Sequence, residues 1–132
     1  MSRSGYSDDC DGWSLIMYRG AVASATKGRR GQRLLRELLA AIDAMPDKRL
    51  IANDLEASGE VCALGALGRQ RRLDMSGLDP EDAKYCAKVF GIAPALLREI
   101  VYENDEFYRE TPEHRYTRMR EWVDSQIIKE PK

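Results

Sequence analysis

The sequence predicts a mainly α-helical protein, a compact single-domain bundle of five to six helices. Apolar residues recur at helical spacing through most of the chain. Capping residues and prolines at helix starts, and glycines at helix ends, divide that pattern into segments. A length of 132 residues matches one ordinary domain, and no linker or repeat interrupts it. We therefore expect one domain over residues 1–132, with residues 1–10 and 129–132 frayed.

The first predicted helix begins at Gly12, with Asp11 placed to cap it. Its apolar side chains are Trp13, Leu15, Ile16, Met17, Tyr18, Ala21 and Val22. They cover nearly every side of the helix, so we expect it at the centre of the bundle. The chain then breaks at Gly28–Gly31.

The second predicted helix follows that break and has the clearest amphipathic pattern in the chain. Arg33 and Glu37 lie on its outer face at i,i+4 spacing, and Pro46 ends it. The apolar stripe consists of Leu34, Leu35, Leu38, Leu39, Ile42 and Met45. Such a stripe predicts that one face of this helix is buried in the core.

Residues 49–62 have two interpretations. Apolar pairs at Leu50–Ile51 and Val61–Cys62 flank a polar stretch containing Ser58–Gly59, which is typical of a short β-hairpin or of a helix followed by a turn. The next segment, residues 62–68, is rich in small residues that allow another backbone to come close. We expect it to be a tightly packed helix that ends near residues 69–72.

Three more helices complete the predicted bundle. Pro80 fits the first position of one helix, which Gly91 ends, and another helix begins near Ala93–Pro94. The last helix opens with Thr111 as its cap and Pro112 in its first turn. Its buried side is expected to contain Tyr116, Met119, Trp122, Val123 and Ile127.

Composition limits the environment of the protein. The net charge is only −1, and no segment has the length and apolar character of a membrane span or a secretory signal. Three scattered cysteines, Cys10, Cys62 and Cys86, favour reduced, buried thiols over a disulfide framework. These features predict a cytoplasmic protein with no membrane partner.

The residues also argue against catalysis. His114 is the only histidine and the three cysteines are isolated, so the paired ligands of a zinc site are missing. A cysteine nucleophile would need His114 as its base, but this residue falls in the first turn of the last helix, where a solvated role is favoured. The aspartates near residues 8–11 lack the glutamate that closes a calcium loop, and no phosphate-binding glycine motif occurs. We expect no cofactor, no metal and no enzymatic activity. A small hydrolase using Cys62, or an acidic pair such as Glu103 and Asp105, is the least favoured reading.

Positive charge is concentrated at the junction between the first two helices. The predicted partner-binding residues there are Lys27, Arg29, Arg30, Arg33 and Arg36, and the cluster Arg69, Arg71 and Arg72 extends them if it folds nearby. In a chain that is nearly neutral, such a cluster is typical of a binding surface. A neutral explanation is that the glycines make the turn and the cations keep it soluble. An alternative is nucleic-acid binding, since Gly28–Gly31 has the layout of the glycine loop of KH domains.

Several segments resemble small uncharacterised helical proteins encoded by phages and prophages. They are residues 2–9, 30–32, 35–38, 60–66 with the motif Cys62-Ala63-Leu64-Gly65-Ala66, 100–106, 111–113 and 119–123. The resemblance covers nearly the whole chain and carries no assigned activity. It implies a biological context, because small phage accessory proteins commonly occupy a host or defence machine.

Together these observations predict a phage or prophage accessory protein that acts by stoichiometric binding. Its most concrete form is an anti-CRISPR-like inhibitor, whose arginines contact an acidic surface of a host defence complex or compete for its nucleic-acid channel. The alternative is a nucleic-acid-binding regulator that uses the Gly28–Gly31 junction.

Overall fold

Six helices and one hairpin form the regular structure of the described residues. A computed structural model describes residues 12–107 and 109–129, and for residues 12–15 it describes the backbone alone. The elements in chain order are α1 (Gly12–Lys27), α2 (Arg29–Asp43), β1 (Glu56–Ala57), β2 (Glu60–Val61), α3 (Ala63–Gln70), α4 (Ala83–Phe90), α5 (Pro94–Asp105) and α6 (Pro112–Gln126). The predicted mainly helical single-domain bundle is confirmed. The expected fraying of residues 1–10 and 130–132 lies outside the described residues.

Helix α2 lies at the centre of the bundle, between α3 and α6. Most of its predicted stripe is buried: Leu35, Leu38 and Ile42 have no exposed surface, whereas Leu39 is partly buried and Met45 lies just beyond the helix. Burial of a side chain of this size stabilises the fold by about 1.5–3 kcal/mol. The 3.6-residue spacing of these apolar residues therefore buries one face of α2, as predicted, and the structure places this helix at the core.

Helix α1 lies on the surface, so the prediction that it occupies the centre is wrong. It packs on α2 and α5 through one side only, and Thr26 is its one buried residue among those whose side chains are described. Ile16 and Met17 are 62% and 58% exposed. An apolar composition on all sides cannot specify which side faces the core, and α2, with its one-sided stripe, takes the centre instead. Within the described residues no helix is suited in length and polarity to span a bilayer.

Residues 56–61 form the β-hairpin that was one of the two interpretations. Glu56 pairs with Val61 and Ala57 with Glu60, in antiparallel register. The two turn residues, Ser58 and Gly59, both have positive φ, 54° and 82°. Positive φ at both positions is the geometry whose twist matches a two-residue hairpin.

The later helices begin and end largely where the sequence predicts. Thr111 accepts a hydrogen bond from the His114 amide as the cap of α6, and Gly91 ends α4 in the left-handed conformation. The predicted start of α4 at Pro80 is wrong by three residues. Asp82 caps this helix by accepting from the Tyr85 amide, whereas Asp79 closes a separate turn with the Glu81 amide. Two aspartates compete for the cap, and the later one begins the helix.

Candidate partner-binding surface

The junction between α1 and α2 presents four cations to solvent. Gly28 is the single residue between the helices: its amide donates to the Ser24 carbonyl, and its carbonyl accepts from the Gln32 amide. The side chains of Lys27, Arg29, Arg30 and Arg33 are exposed and make no hydrogen bond or ion pair with any described residue. We call these four residues the basic corner. Their charge is available to a partner because no carboxylate of the described fold neutralises it.

The arginines of the basic corner oppose the electrostatics of α2, whereas Lys27 lies in the last turn of α1, where a cation is favoured. Arg29, Arg30 and Arg33 occupy the first turns of α2, which contains no acidic residue in its first turn and no side-chain cap at Gly28. A helix N-terminus carries partial positive charge, so each cation there destabilises the helix by about 0.3–1 kcal/mol. Residues 12–36 contain six lysines and arginines and no carboxylate. This segment therefore creates a positive field that the fold does not need for stability.

Gly31 is present for packing and not for an exposed loop. It lies inside α2 and is buried against α1. A Cβ at this position would lie 1.9 Å from the Ala25 carbonyl oxygen, so only glycine allows the two helices to come this close. Gly28 and Gly31 thus do not form the free loop that the KH-like layout requires.

Gln32 fixes the basic corner to the far end of the chain. Its side-chain amide donates to the carbonyls of Thr26 (2.8 Å) and Gln126 (3.0 Å), and its Oε1 accepts from the Ile128 amide (2.8 Å). Arg36 donates to the Ile128 carbonyl at 2.8 Å. These bonds join α1, α2 and the end of α6, so the cations beside them are held on a rigid support. Arg36 belongs to this support, although its side chain remains exposed.

The second predicted cluster does not extend the basic corner as a free surface. Arg71 donates to both carboxylate oxygens of Glu37 (2.6 and 2.8 Å) and to the Phe90 carbonyl (3.0 Å). Its hydrogen bond lowers the pKa of Glu37. Arg69 forms an ion pair with Glu56 at 2.9 Å. Arg72 alone remains exposed without a partner among the described residues. Arg69 and Arg71 therefore connect elements of the fold.

The arginines of α6 are also structural. Arg115 is 3% exposed and donates to the carbonyls of Asn104, Leu50 and Phe107. Glu110, whose side chain is 2% exposed, binds Arg118 at 2.8 Å. Burial raises the pKa of Glu110, but the hydrogen bonds with Arg118 and His114 lower it by a larger amount. The net pKa therefore lies below its ordinary value. This cluster closes the fold between α5 and α6.

Cys62 acts as a helix cap. Its sulfur accepts from the Gly65 amide at 3.4 Å at the start of α3. Burial raises the pKa of the thiol to about 12. The thiol is therefore protonated at neutral pH, the state in which a cysteine is a poor nucleophile.

Two segments that are distant in the chain, residues 62–66 and residues 100–106, meet at one junction. Asn104 accepts from the Ala63 amide (3.1 Å) and donates to the Ile51 carbonyl (2.9 Å). A Cβ on Gly65 would lie 1.9 Å from the Leu55 carbonyl oxygen. Sequence reasoning missed this junction, because no spacing rule shows that residues 62–66 and 104 are neighbours. Its groups satisfy one another, as in a structural joint.

Comparisons with protein-family models, with curated proteins and with solved structures give no match to this chain. Among the described residues, no group of three or more histidine, cysteine, aspartate or glutamate side chains is arranged to hold a metal ion. The chain's own exposed groups, above all the basic corner, are therefore the features that bear on its function.

Proposed function

We propose that this protein is a phage or prophage accessory protein that acts by stoichiometric binding in the host cytoplasm. In its most concrete form it is an anti-CRISPR-like inhibitor of a host defence complex. The basic corner binds an acidic surface of that complex, or occupies the channel through which the complex holds nucleic acid. The phage-like resemblance supplies the biological context, and the basic corner supplies the binding group.

The observation that carries this proposal is the contrast between the basic corner and the other arginines. Arg69, Arg71, Arg115 and Arg118 each contact carboxylates or buried carbonyls, which explains their presence by the fold itself. The four corner cations have no such contact, and two of them, Arg29 and Arg30, stand at the helix start that disfavours them. Groups that break a local rule without compensation in the fold are expected at functional sites.

The support beneath the corner favours recognition of a macromolecule. Because Gln32 ties the junction to Gln126 and Ile128, the cations are displayed by rigid helices instead of a mobile loop. Less ordering is then required when the partner binds. Clustered charge also speeds encounter with an oppositely charged partner.

The test is a phage plating assay combined with a pull-down on purified defence complexes. The variant Arg29→Ala/Arg30→Ala is expected to lose inhibition and complex capture. The matched control is Lys84→Ala/Lys88→Ala, which removes the same charge from two exposed lysines of α4 and is expected to behave as the unchanged protein. The proposal is defeated if the protein without substitutions leaves the plating efficiency of the phage the same in every host, whichever defence system is active.

A second candidate function is nucleic-acid binding, which the start of α2 favours. The amides of Arg29 and Arg30 have no acceptor in the described residues, since the first backbone bond of the helix runs from Gln32 to Gly28. Free amides at a helix start, surrounded by cations, suit phosphate. If four cations contact phosphates, affinity for duplex DNA should fall with salt with a log–log slope of about −3 to −4. A titration that shows no binding to duplex or single strands would exclude it.

A further inference from the structure

The arginines of α2 form a row along its outer face that reaches beyond the basic corner. Arg29, Arg33 and Arg36 lie at i, i+4 and i+7, and all three are exposed. Residues with this spacing share one side of a helix, and at a rise of about 1.5 Å per residue they span about 10 Å along its axis. We call these three residues the arginine row. The row presents positive charge in a line that has the spacing of an α-helix.

The arginine row keeps hydrogen-bond donors for a partner. The guanidinium groups of Arg29 and Arg33 make no hydrogen bond with a described residue. Arg36 donates through one terminal nitrogen to the Ile128 carbonyl (2.8 Å) and has no second acceptor among the described residues. A guanidinium carries five N–H donors in a planar fork that matches both oxygens of a carboxylate. Each position of the row can therefore bind one carboxylate.

The acidic residues of α2 itself are bound by arginines outside the row. Glu37 and Asp43 are the two carboxylates of this helix. Arg71 of the segment after α3 donates to both oxygens of Glu37, and Arg120 of α6 donates to both oxygens of Asp43. Because each carboxylate has its own guanidinium, neither neutralises the arginine row.

An exposed apolar side chain lies beside the arginine row. The Ile128 amide donates to Gln32 Oε1 (2.8 Å) and the Ile128 carbonyl accepts from Arg36 (2.8 Å), so the backbone of this residue is held against α2. The side chain of Ile127 is buried in the core, whereas that of Ile128 is 50% exposed. Arginine beside an exposed apolar residue is typical of protein–protein interfaces. A phosphate backbone offers no contact for the isoleucine.

The charge of the rest of the chain disfavours an extended polyanion on this face. Residues 12–36 contain six lysines and arginines and no carboxylate, whereas residues 37–132 contain 14 lysines and arginines against 19 aspartates and glutamates, a net charge of −5. A nucleic-acid strand that runs along the row and beyond it meets this negative charge, whereas a short acidic helix contacts the row alone. The charge distribution therefore favours a partner with a local acidic surface.

We propose that the arginine row binds an acidic, amphipathic α-helix of a partner protein. Carboxylates three or four residues apart on one face of that helix meet Arg29, Arg33 and Arg36, because two helices laid side by side have the same rise per residue. An apolar residue beside these carboxylates packs on Ile128. The inference rests on the proposed function, since it names the kind of surface through which the defence complex is bound.

The probe is a synthetic helical peptide with glutamates at i, i+3, i+4 and i+7, a leucine beside them and a staple on the opposite face. Its control is a stapled isomer of the same composition whose glutamates are spread around the helix. An NMR titration of the isotopically labelled full chain at low ionic strength, where charge pairs are least screened, measures both. We expect the glutamate-row peptide to bind at least about fivefold more tightly than its isomer. It should shift the amides of residues 29–36 and 128.

Charge exchange tests the pairing of the two helices. Arg33→Glu is expected to weaken binding of the glutamate-row peptide by at least about fivefold, and a peptide with lysines at i+3 and i+4 should restore it. Ile128→Ser keeps every cation and should weaken peptide binding about threefold, because the apolar contact is lost. The matched control is Lys84→Glu, which reverses the charge of an exposed lysine on α4 and should leave binding unchanged. All three side chains are exposed, so circular dichroism of the variants should match that of the original chain.

Equal binding of the two peptides, or no binding of either, would overturn the proposal. Binding of duplex DNA that needs Arg33 but is indifferent to Ile128→Ser, without any preference between the peptides, would assign the row to a phosphate backbone and overturn it as well. These outcomes are separate from failure of the proposed function. If the chain inhibits a defence system but does not distinguish the peptides, only the helix partner is wrong. If it distinguishes the peptides but never changes phage plating, the proposed function fails and the helix-binding row remains.

Discussion

At the scale of single residues, Gly31 is a position where only glycine fits between α1 and α2. A methyl group there would overlap the Ala25 carbonyl oxygen, at 1.9 Å. We expect Gly31→Ala to lower the free energy of unfolding by about 1–3 kcal/mol, as for other overpacked sites. Urea denaturation measures this change.

Gly20 provides the control for that experiment. It is also a helical glycine, but it has open space around it. Gly20→Ala should therefore stabilise the protein by about 0.5–1 kcal/mol, because alanine restricts the unfolded chain and favours helix. A Gly31→Ala protein as stable as Gly20→Ala would contradict the close approach of α1 and α2.

The Cys62 thiol gives a second prediction at this scale, a pH dependence. Its pKa is raised from about 9 in the unfolded chain to about 12 in the fold. The stability that it contributes is complete below about pH 9. It is lost as the pH rises toward 12, because the unfolded chain releases a proton that the native state retains.

The measurement is urea unfolding between pH 8 and 10.5 for the unchanged protein and for Cys62→Ala. We expect the unchanged protein to lose stability more steeply above pH 9, by up to about 1.4 kcal/mol per pH unit. Ellman's reagent should also react slowly with Cys62 in the native state. Fast reaction at neutral pH would show that the thiol is accessible and would reopen the case for a nucleophile.

At the scale of elements, Asn104 joins α5 to the start of α3. Its side chain satisfies the Ala63 amide and the Ile51 carbonyl, both within the fold. Asn104→Ala leaves these groups without their partner, and an unsatisfied buried group costs about 1–3 kcal/mol. We therefore expect a loss of about 2–4 kcal/mol in the free energy of unfolding, with faster hydrogen exchange at the Ala63 amide.

Gln126→Ala is the control for this substitution, because the Gln126 side-chain amide makes only an exposed contact, with Ser125. Its effect should stay within about 0.5 kcal/mol, as at ordinary surface positions. If Asn104→Ala lowered the free energy of unfolding equally little, the contacts of Asn104 would not hold α3 and α5 together.

At the scale of the whole molecule, the basic corner should separate stability from function. Arg29→Gln/Arg30→Gln removes two cations from the positive end of α2. We expect the variant to gain up to about 1 kcal/mol of stability at low salt while losing partner binding. Thermal unfolding of the purified variant measures its stability, and the plating assay in cells that express the same variant measures its inhibition.

The opposite pattern has a clear meaning as well. A variant that is less stable and still inhibits would show that the arginines serve the fold. Lys84→Gln/Lys88→Gln on α4 is the control: Lys84 lies in the first turn of α4 and Lys88 in the last, so the two effects on the helix dipole oppose each other and neither reading should change.

Most of the secondary structure was determined by the sequence itself. The apolar stripe of α2, the Thr111 cap and the glycine at position 91 act through contacts within a few residues, so local spacing is enough to predict them. The same holds for the exposed Lys27 and Arg29, whose charge density is visible in the chain. The start of α4 was misplaced because two neighbouring caps, Asp79 and Asp82, are locally almost equivalent.

The tertiary structure alone decided which apolar helix is central and which arginines are free. Helix α1 is apolar on all sides, so its own sequence carries no direction, and the one-sided α2 outcompetes it for the core. Arg71 and Arg29 are equally basic in sequence, but Arg71 meets Glu37, 34 residues away, and Arg29 meets no carboxylate of the described fold. Contacts between residues distant in the chain depend on how helices pack, which local spacing does not encode.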